Sequence, residues 1–308
     1  MGGSERLIMS EPLEALRKYV HFLREHDGVR QVRLTRTAQQ GLARLAAAIK
    51  ALPEQAHKPA VRPVDRREPV PPEKYHTSDG ETPSRLSVPS AANEPPLEIS
   101  GSSKTEQLRH LAERASVCVK CPNLVARRHN VVFGVGDPEA KLMFVGEAPG
   151  EEEDLKGEPF VGRAGQLLTK MIAAMGLGRE QVYIANIVKC RPDMPAGVPG
   201  NRKPTKQEME TCVPYLRAQI EVIKPSVMVA LGATAVEGLF GPVGTIGSLR
   251  GKFLEYRNTP LMPTYHPSYL LRNQSNTEKR KVWEDLLKVM DRLAMPISEK
   301  QRGYFLRA

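Results

Sequence analysis

The sequence predicts an α/β fold, a three-layer α/β/α arrangement around a central four-stranded parallel sheet, and two observations carry that prediction. From Thr105 onward, short apolar runs that end at loops alternate with segments of helical spacing, the pattern of parallel strands joined by crossover helices. Ahead of them, residues 51–103 hold ten of the 26 prolines among Ser, Glu, Arg and Lys, with no apolar period. That change of composition marks off a folded region downstream.

Taken in order, residues 11–50 carry two apolar stripes, Leu13, Leu16, Val20 and Leu23, then Leu42, Leu45 and Ile49. They predict one or two short helices. The expected organisation is a helical N-terminal extension over 1–50, a disordered Pro-rich linker over 51–103, a folded domain over 104–295 and a C-terminal tail over 296–308. Within the domain, residues 141–145 read as the first strand, 165–174 as a helix and 182–188 as a second strand. Residues 205–223 read as a helix that opens on a Thr205-x-x-Glu208 capping box. A third strand over 226–231, a short helix over 233–240 and a fourth strand over 261–265 follow. Residues 277–293 close the domain as a helix carrying the only Trp, Trp283. In such sheets ligands collect at the carboxyl ends of strands, so the informative loops follow Val145, Val188, Leu231 and Tyr265.

With 40% hydrophobic residues, the 308-residue chain has enough apolar surface for a packed core. Its net charge of +10 suits a polyanionic partner such as nucleic acid. No run approaches the roughly 20 apolar residues of a membrane span, and Met1 to Leu16 lacks the apolar core of a signal peptide. A cytoplasmic protein with no membrane partner is expected. A reducing compartment argues against structural disulfides, so Cys118, Cys121, Cys190 and Cys212 need another reading.

Four thiolates suit zinc or an iron-sulfur cluster by count. One close pair, Cys118-Val-Lys-Cys121, meets two isolated cysteines far downstream, a spacing that favours a 4Fe-4S cluster while leaving zinc or four unrelated thiols open. His266 falls where the fourth strand ends, with Pro267 fixing the backbone and Ser268 offering a hydroxyl. Asn186 sits in an apolar strand, where its amide must find partners or be reserved for a ligand with paired donor and acceptor groups. Phe160, after Pro159 in a Gly-rich loop, is either a core aromatic or a platform for a base. Basic residues crowd the loops, among them Arg127, Arg128, Lys189, Arg191, Arg202, Arg250 and Arg272, and those near strand ends are expected to track phosphates. Against that background the four acids Glu151 to Asp154 stand out. They are expected to face solvent or the chain's own arginines and to hold the loop that carries Phe160.

Together these residues resemble the family 4 uracil-DNA glycosylases, the iron-sulfur members of the uracil-DNA glycosylase superfamily. The motifs that carry the resemblance are Gly146-Glu-Ala-Pro-Gly150 with Gly157-Glu-Pro-Phe-Val-Gly-Arg-Ala-Gly165, Asn186-Ile-Val-Lys-Cys-Arg-Pro192 with Asn201-Arg-Lys-Pro204, Leu231-Gly-Ala-Thr-Ala235, and His266-Pro-Ser-Tyr-Leu-Leu-Arg272. The resemblance covers about residues 105–295. It implies a structural 4Fe-4S cluster on Cys118, Cys121, Cys190 and Cys212, and excision of uracil flipped out of single- or double-stranded DNA. By the same resemblance Phe160 stacks on the base, Asn186 reads its edge, and His266 faces uracil O2. Gly146, Glu147 and Ala148 line the pocket beside the sugar, and Ser268 joins the substrate contacts. Related families carry an aspartate where this chain has Ala148, which makes Glu147 the nearest carboxylate for orienting water.

Three other functions compete with a monofunctional glycosylase. A covalent uracil-DNA-binding relative would need a histidine in the loop 192–204, which has none. A redox enzyme lacks any Gly-x-Gly-x-x-Gly after a strand. A DNA-binding or polymerase-associated module without turnover would not need Asn186, Phe160 and His266 together. A monomer is expected, and Gln301-Arg-Gly-Tyr-Phe305 loosely resembles peptides that dock on sliding clamps, although a frayed tail explains it as well.

Overall fold

The computed structural model describes residues 97–306 except 193 and 195–199. The expected N-terminal helices and nearly all of the expected linker lie outside the described residues. A six-stranded sheet, ordered β1-β3-β2-β4-β6-β5, forms the centre. Its strands are β1 (Val135–Gly136), β2 (Leu142–Gly146), β3 (Tyr183–Asn186), β4 (Val227–Leu231), β5 (Leu254–Tyr256) and β6 (Thr259–Thr264). Strands β3, β2, β4 and β6 are parallel neighbours and correspond to the four predicted strands. The sheet differs from the prediction at its edges, where β1 and β5 add antiparallel strands. These are too short to leave an apolar period. Strand β5 returns into β6 through Arg257 and Asn258, both at positive φ, the backbone of a two-residue hairpin turn.

Helices cover both faces. On one side pack α1 (Lys104–Ser116), α2 (Pro122–Val125), α5 (Lys206–Ile223) and α6 (Ala233–Phe240). On the other pack α4 (Arg163–Ala174), α8 (Pro267–Arg272) and α9 (Asn276–Arg292). Burial of both faces explains why the strands read as continuous apolar runs rather than alternating ones. Along β2, Met143 and Val145 enter the first core while Leu142 and Phe144 enter the second. The predicted capping box is present, with Thr205 Oγ1 accepting from Glu208 N and a Glu208 carboxylate oxygen accepting from Thr205 N.

Short helices decorate the loops: α3 (Glu151–Lys156), α7 (Ile246–Leu249) and α10 (Glu299–Arg302). The acidic run is α3 itself, with all four acids in its first turn, where the helix dipole favours negative charge. The expectation that these acids face solvent or arginines fails for Asp154, which is fully buried and accepts from the backbone amides of His129 and Asn130. Glu151 does lie near an arginine, Arg191, at 3.8 Å.

Both ends of the described region differ from the sequence reading. Leu97 and Ile99 already pack against the first core, upstream of the boundary drawn at 103/104. Two apolar residues are invisible in a Pro- and Ser-rich composition. At the other end the tail is docked rather than frayed. Trp283 Nε1 donates to Gln301 O, Gln301 Nε2 donates to Ala174 O, and Arg280 donates to the carbonyls of Arg302 and Tyr304. Among the described residues no helix is long and apolar enough to cross a membrane.

Candidate functional site

The carboxyl ends of β2, β3 and β6 bring the predicted residues together. Gly146 and Asn186 are register partners at the ends of β2 and β3. A Cβ added at Gly146 would lie 2.4 Å from Asn186 Oδ1 and 2.5 Å from Phe160 Cζ, so only glycine leaves both side chains in place. Asn186 is buried, and its Oδ1 has no hydrogen-bond partner among the described residues. An orphan acceptor of this kind is costly unless a ligand completes it.

Phe160 arrives from the loop after α3. It is buried, at 6% exposure, yet held at φ +55°, a left-handed conformation that a bulky residue rarely adopts. The neighbouring backbone accommodates it through Gly165, where a Cβ would fall 1.8 Å from Phe160 O. His266 comes from the opposite side as the N-cap of α8, its ring centroid 5.6 Å from that of Phe160.

Its protonation follows from its partners. Ser268 N donates to His266 Nδ1 at 3.1 Å, and a backbone amide can only donate, so Nδ1 is the acceptor. The Ser268 hydroxyl lies 2.8 Å from the same nitrogen. The ring proton therefore sits on Nε2, the nitrogen away from Ser268. Burial, reinforced by Arg272, lowers the His266 pKa to about 4, so the ring is neutral at physiological pH. Ser268, expected among the substrate contacts, engages His266 through both its amide and its hydroxyl.

Glu147 lies just past β2, where Val188 N donates to its carbonyl. Burial raises its carboxyl pKa, opposed by a hydrogen bond from Thr234 and by Lys203. Ala148 is half-buried and packs against the first core. Thr234, the second residue of α6, lies in Leu231-Gly-Ala-Thr-Ala235, a stretch whose sequence pattern alone does not link it to Glu147.

Sequence reasoning misplaced Lys189. It is buried rather than exposed to phosphate, and its ammonium donates to Asn186 O at 2.9 Å and to Gln219 Oε1 at 2.5 Å. Burial lowers its pKa to about 7. Arg202 and Arg250, also expected to be available for phosphate, pair with Glu208 and Asp285.

Behind Lys189 the four cysteines converge from α1's end, the start of α2, the segment after β3, and α5. Burial raises the Cys121 thiol pKa, with Cys190 and Cys118 adding to it. Burial pushes Cys212 up to about 12, again with Cys190 and Cys121 contributing. The four sulfurs therefore lie within electrostatic reach of one another. Two N–H groups point at them, Arg128 Nη1 at Cys190 Sγ and Lys189 N at Cys212 Sγ, each at 3.2 Å. Among the described residues no three Cys, His, Asp or Glu side chains are arranged to hold a single metal ion.

Comparison with known proteins agrees with this geometry. A family model described as the uracil DNA glycosylase superfamily matches residues 133–287. The type-4 uracil-DNA glycosylase of Thermotoga maritima is 48% identical over 187 residues, which cover 60% of this chain and 94% of that protein. The type-4 enzyme of Archaeoglobus fulgidus is 42% identical over 192 residues, 58% of this chain and 93% of that protein. The type-4 enzyme of Sulfurisphaera tokodaii is 41% identical over 210 residues, 65% of this chain and 91% of that protein. The matched range 133–287 takes in the strand ends that carry Asn186, Phe160 and His266, and the chain belongs to the type-4 uracil-DNA glycosylases of the uracil-DNA glycosylase superfamily.

Proposed function

We propose that this chain is a monofunctional uracil-DNA glycosylase of base excision repair, which takes uracil flipped out of DNA into the pocket between Phe160, Asn186 and His266 and hydrolyses its N-glycosidic bond. The observation that carries this reading is the buried, unpartnered Asn186 Oδ1. Uracil N3–H is a donor that satisfies it. Cytosine presents a lone pair at N3 instead, which leaves the acceptor unpaired and repelled. Phe160 supplies a ring face for the base.

In the reaction the C1′–N1 bond breaks and its electron pair leaves on uracil, where charge develops at O2, while the sugar becomes oxocarbenium-like. Catalysis then requires a donor where the negative charge appears. The Nε2–H of neutral His266 is that donor, and Ser268 orients it through Nδ1. Water adds its oxygen to C1′, and the proton it gives up passes through solvent to the departing uracil anion, so that neutral uracil and an abasic sugar result. Glu147 is the carboxylate assigned to orient it, its raised proton affinity favouring that task. The backbone of Gly146, Glu147 and Ala148 lines the sugar side.

The donor set at the cysteines fits a 4Fe-4S cluster. Thiolates bound to four different irons stand further apart than ligands sharing one zinc, and amide or guanidinium N–H groups aimed at the sulfurs are what such a cluster uses. Cys118, Cys121, Cys190 and Cys212 would hold it. Bound there it would tie the segment after α1, the start of α2, the segment after β3 and α5 together through four iron–thiolate bonds.

The folded region from Leu97 through the docked tail is read as the glycosylase domain, and the positive net charge suits the phosphate backbone of its substrate. A clamp partner is not part of this reading, because Gln301 and Tyr304 already engage Ala174 and Trp283. The test is release of free uracil from a uracil-containing oligonucleotide, with a thymine oligonucleotide as control and a visible absorption spectrum of the same preparation. Absence of uracil release from a preparation that carries the cluster refutes the reading.

A further inference from the structure

Two adjacent carboxylates of α3 reach in opposite directions. Glu153 Oε1 accepts from Val161 N at 2.9 Å and from Gly162 N at 2.8 Å, and its Oε2 accepts from Gly150 N at 3.1 Å. These are the backbone groups on either side of the loop that presents Phe160. Asp154, fully buried, accepts from His129 N at 3.0 Å, from Asn130 N at 3.3 Å and from His129 Nδ1 at 2.7 Å. Asn130 Nδ2 donates back to the Asp154 carbonyl at 2.8 Å. One residue earlier, Arg128 donates to Cys190 Sγ. Three sets of hydrogen bonds, joined by the backbone steps Arg128–His129 and Glu153–Asp154, thus link the cysteine site through α3 to the loop of Phe160.

A helix of six residues has too few internal hydrogen bonds to fix its own position. What α3 holds, and what holds it, therefore decide where it sits. Phe160 needs such support, because its positive φ is strained and the loop relaxes unless its neighbours are tied. A solvated acidic face would leave these carboxylates in water, whereas Asp154 is inside the protein and Glu153 is ligated by three amides.

We propose that Glu153 and Asp154 are positioning residues for uracil excision: Asp154 anchors α3 to the segment beside the cysteine site, and Glu153 uses that anchorage to hold the Phe160 loop at the base pocket. The proposal rests on the assignment of Phe160 to the base, but its structural half stands without it.

Amide hydrogen exchange on the full-length protein separates the two halves, with Phe144 and Val145 in the sheet as reference amides. Glu153→Gln is expected to speed exchange at Val161 and Gly162 by about tenfold, since two charged acceptor oxygens become one neutral oxygen and an NH2 group that can only donate, and to leave His129 and Asn130 unchanged. Asp154→Asn is expected to speed exchange at both pairs. Both variants should raise KM for uracil-containing DNA more than they lower kcat, with the visible absorption retained. Acceleration at His129 and Asn130 alone in Asp154→Asn overturns the coupling, and uniform acceleration that includes the reference amides overturns the positioning role. Should Asp154→Asn fail to fold, His129→Ala removes only the ring contact of an exposed side chain. It is expected to loosen Val161 and Gly162 in the same direction but less, and unchanged rates there refute the proposal. A wild type that shows the exchange pattern but releases no uracil refutes the pocket assignment and not the anchorage.

Discussion

His266 and Phe160 face each other with ring centroids 5.6 Å apart and planes tilted by 34°, one ring from the end of β6 and the other from the loop after α3. The proposed base pocket thus draws on two segments far apart in sequence. His266 presents a donor and Phe160 presents a face. Replacing His266 by Ala removes the donor where charge develops on the leaving base. Loss of one such donor costs roughly 3 to 4 kcal/mol in other enzymes, so single-turnover excision should slow on the order of a hundredfold or more. Ser268→Ala should slow it less, because the Ser268 amide still holds Nδ1. Excision by His266→Ala at the wild-type rate refutes the assignment.

The protonation of His266 gives a pH prediction of definite sign. Its pKa falls from the ordinary 6.5 to about 4 because burial disfavours the charged ring. The unfolded chain therefore binds this proton first as pH drops. The stability associated with the neutral ring is present above pH 6.5 and is lost as pH falls through about 4. Activity should follow the same group, since a proton on Nδ1 displaces the Ser268 amide. The expected kcat/KM profile, which reports the free enzyme, has an acid limb near pH 4 that disappears in His266→Ala, and a limb centred near 6.5 contradicts the assignment.

Much of this site was legible because the alternation of strands and helices already located the strand ends, and His266 and Asn186 each stand at one. The edge strands were not, since Val135–Gly136 is two residues long and sheet pairing, not composition, defines it. Lys189 was misread for a different reason. Its burial depends on Gln219 in a helix folded against it, a partner no local pattern links to it. Asp154 shows the same limit: charge is visible in sequence, but the amides that make its burial tolerable belong to residues 129 and 130.

Asn186→Ala tests the specificity argument. The variant removes the orphan acceptor and with it the discrimination between a base with N3–H and one without. Uracil excision should fall by about ten- to a hundredfold, the effect of one to two hydrogen bonds to a buried group. Binding of DNA without uracil should stay within about twofold, because phosphate contacts dominate it. A comparable loss for both DNAs shows that Asn186 supports the fold rather than reading the base.

Cys212→Ser tests the cysteine assignment apart from catalysis. Cys212 is buried in α5 and receives Lys189 N, so its loss should open the site at the helix furthest along the chain from Cys118. The purified variant should show diminished visible absorption and a lower unfolding temperature than wild type. An unchanged spectrum excludes Cys212 as a ligand.

Gly146→Ala puts the geometry of the pocket to its strictest test. The substitution keeps the backbone in an allowed region, since Gly146 is not among the positive-φ glycines, so its effect comes from the added carbon alone. That carbon would stand 2.4 Å from Asn186 Oδ1 and 2.5 Å from Phe160 Cζ, well inside contact distance. Asn186 is fixed at the end of β3, and its carbonyl is held by Lys189, so its backbone cannot retreat. The Asn186 amide and the Phe160 ring must therefore turn aside, and either shift disturbs the arrangement opposite His266. Overpacking of this kind costs about 1 to 3 kcal/mol, enough to lower the unfolding temperature without abolishing the fold. Excision should fall far more than stability does, because the same methyl group occupies the space beside the amide that reads the base. Folded Gly146→Ala protein that excises uracil at the wild-type rate places the base elsewhere.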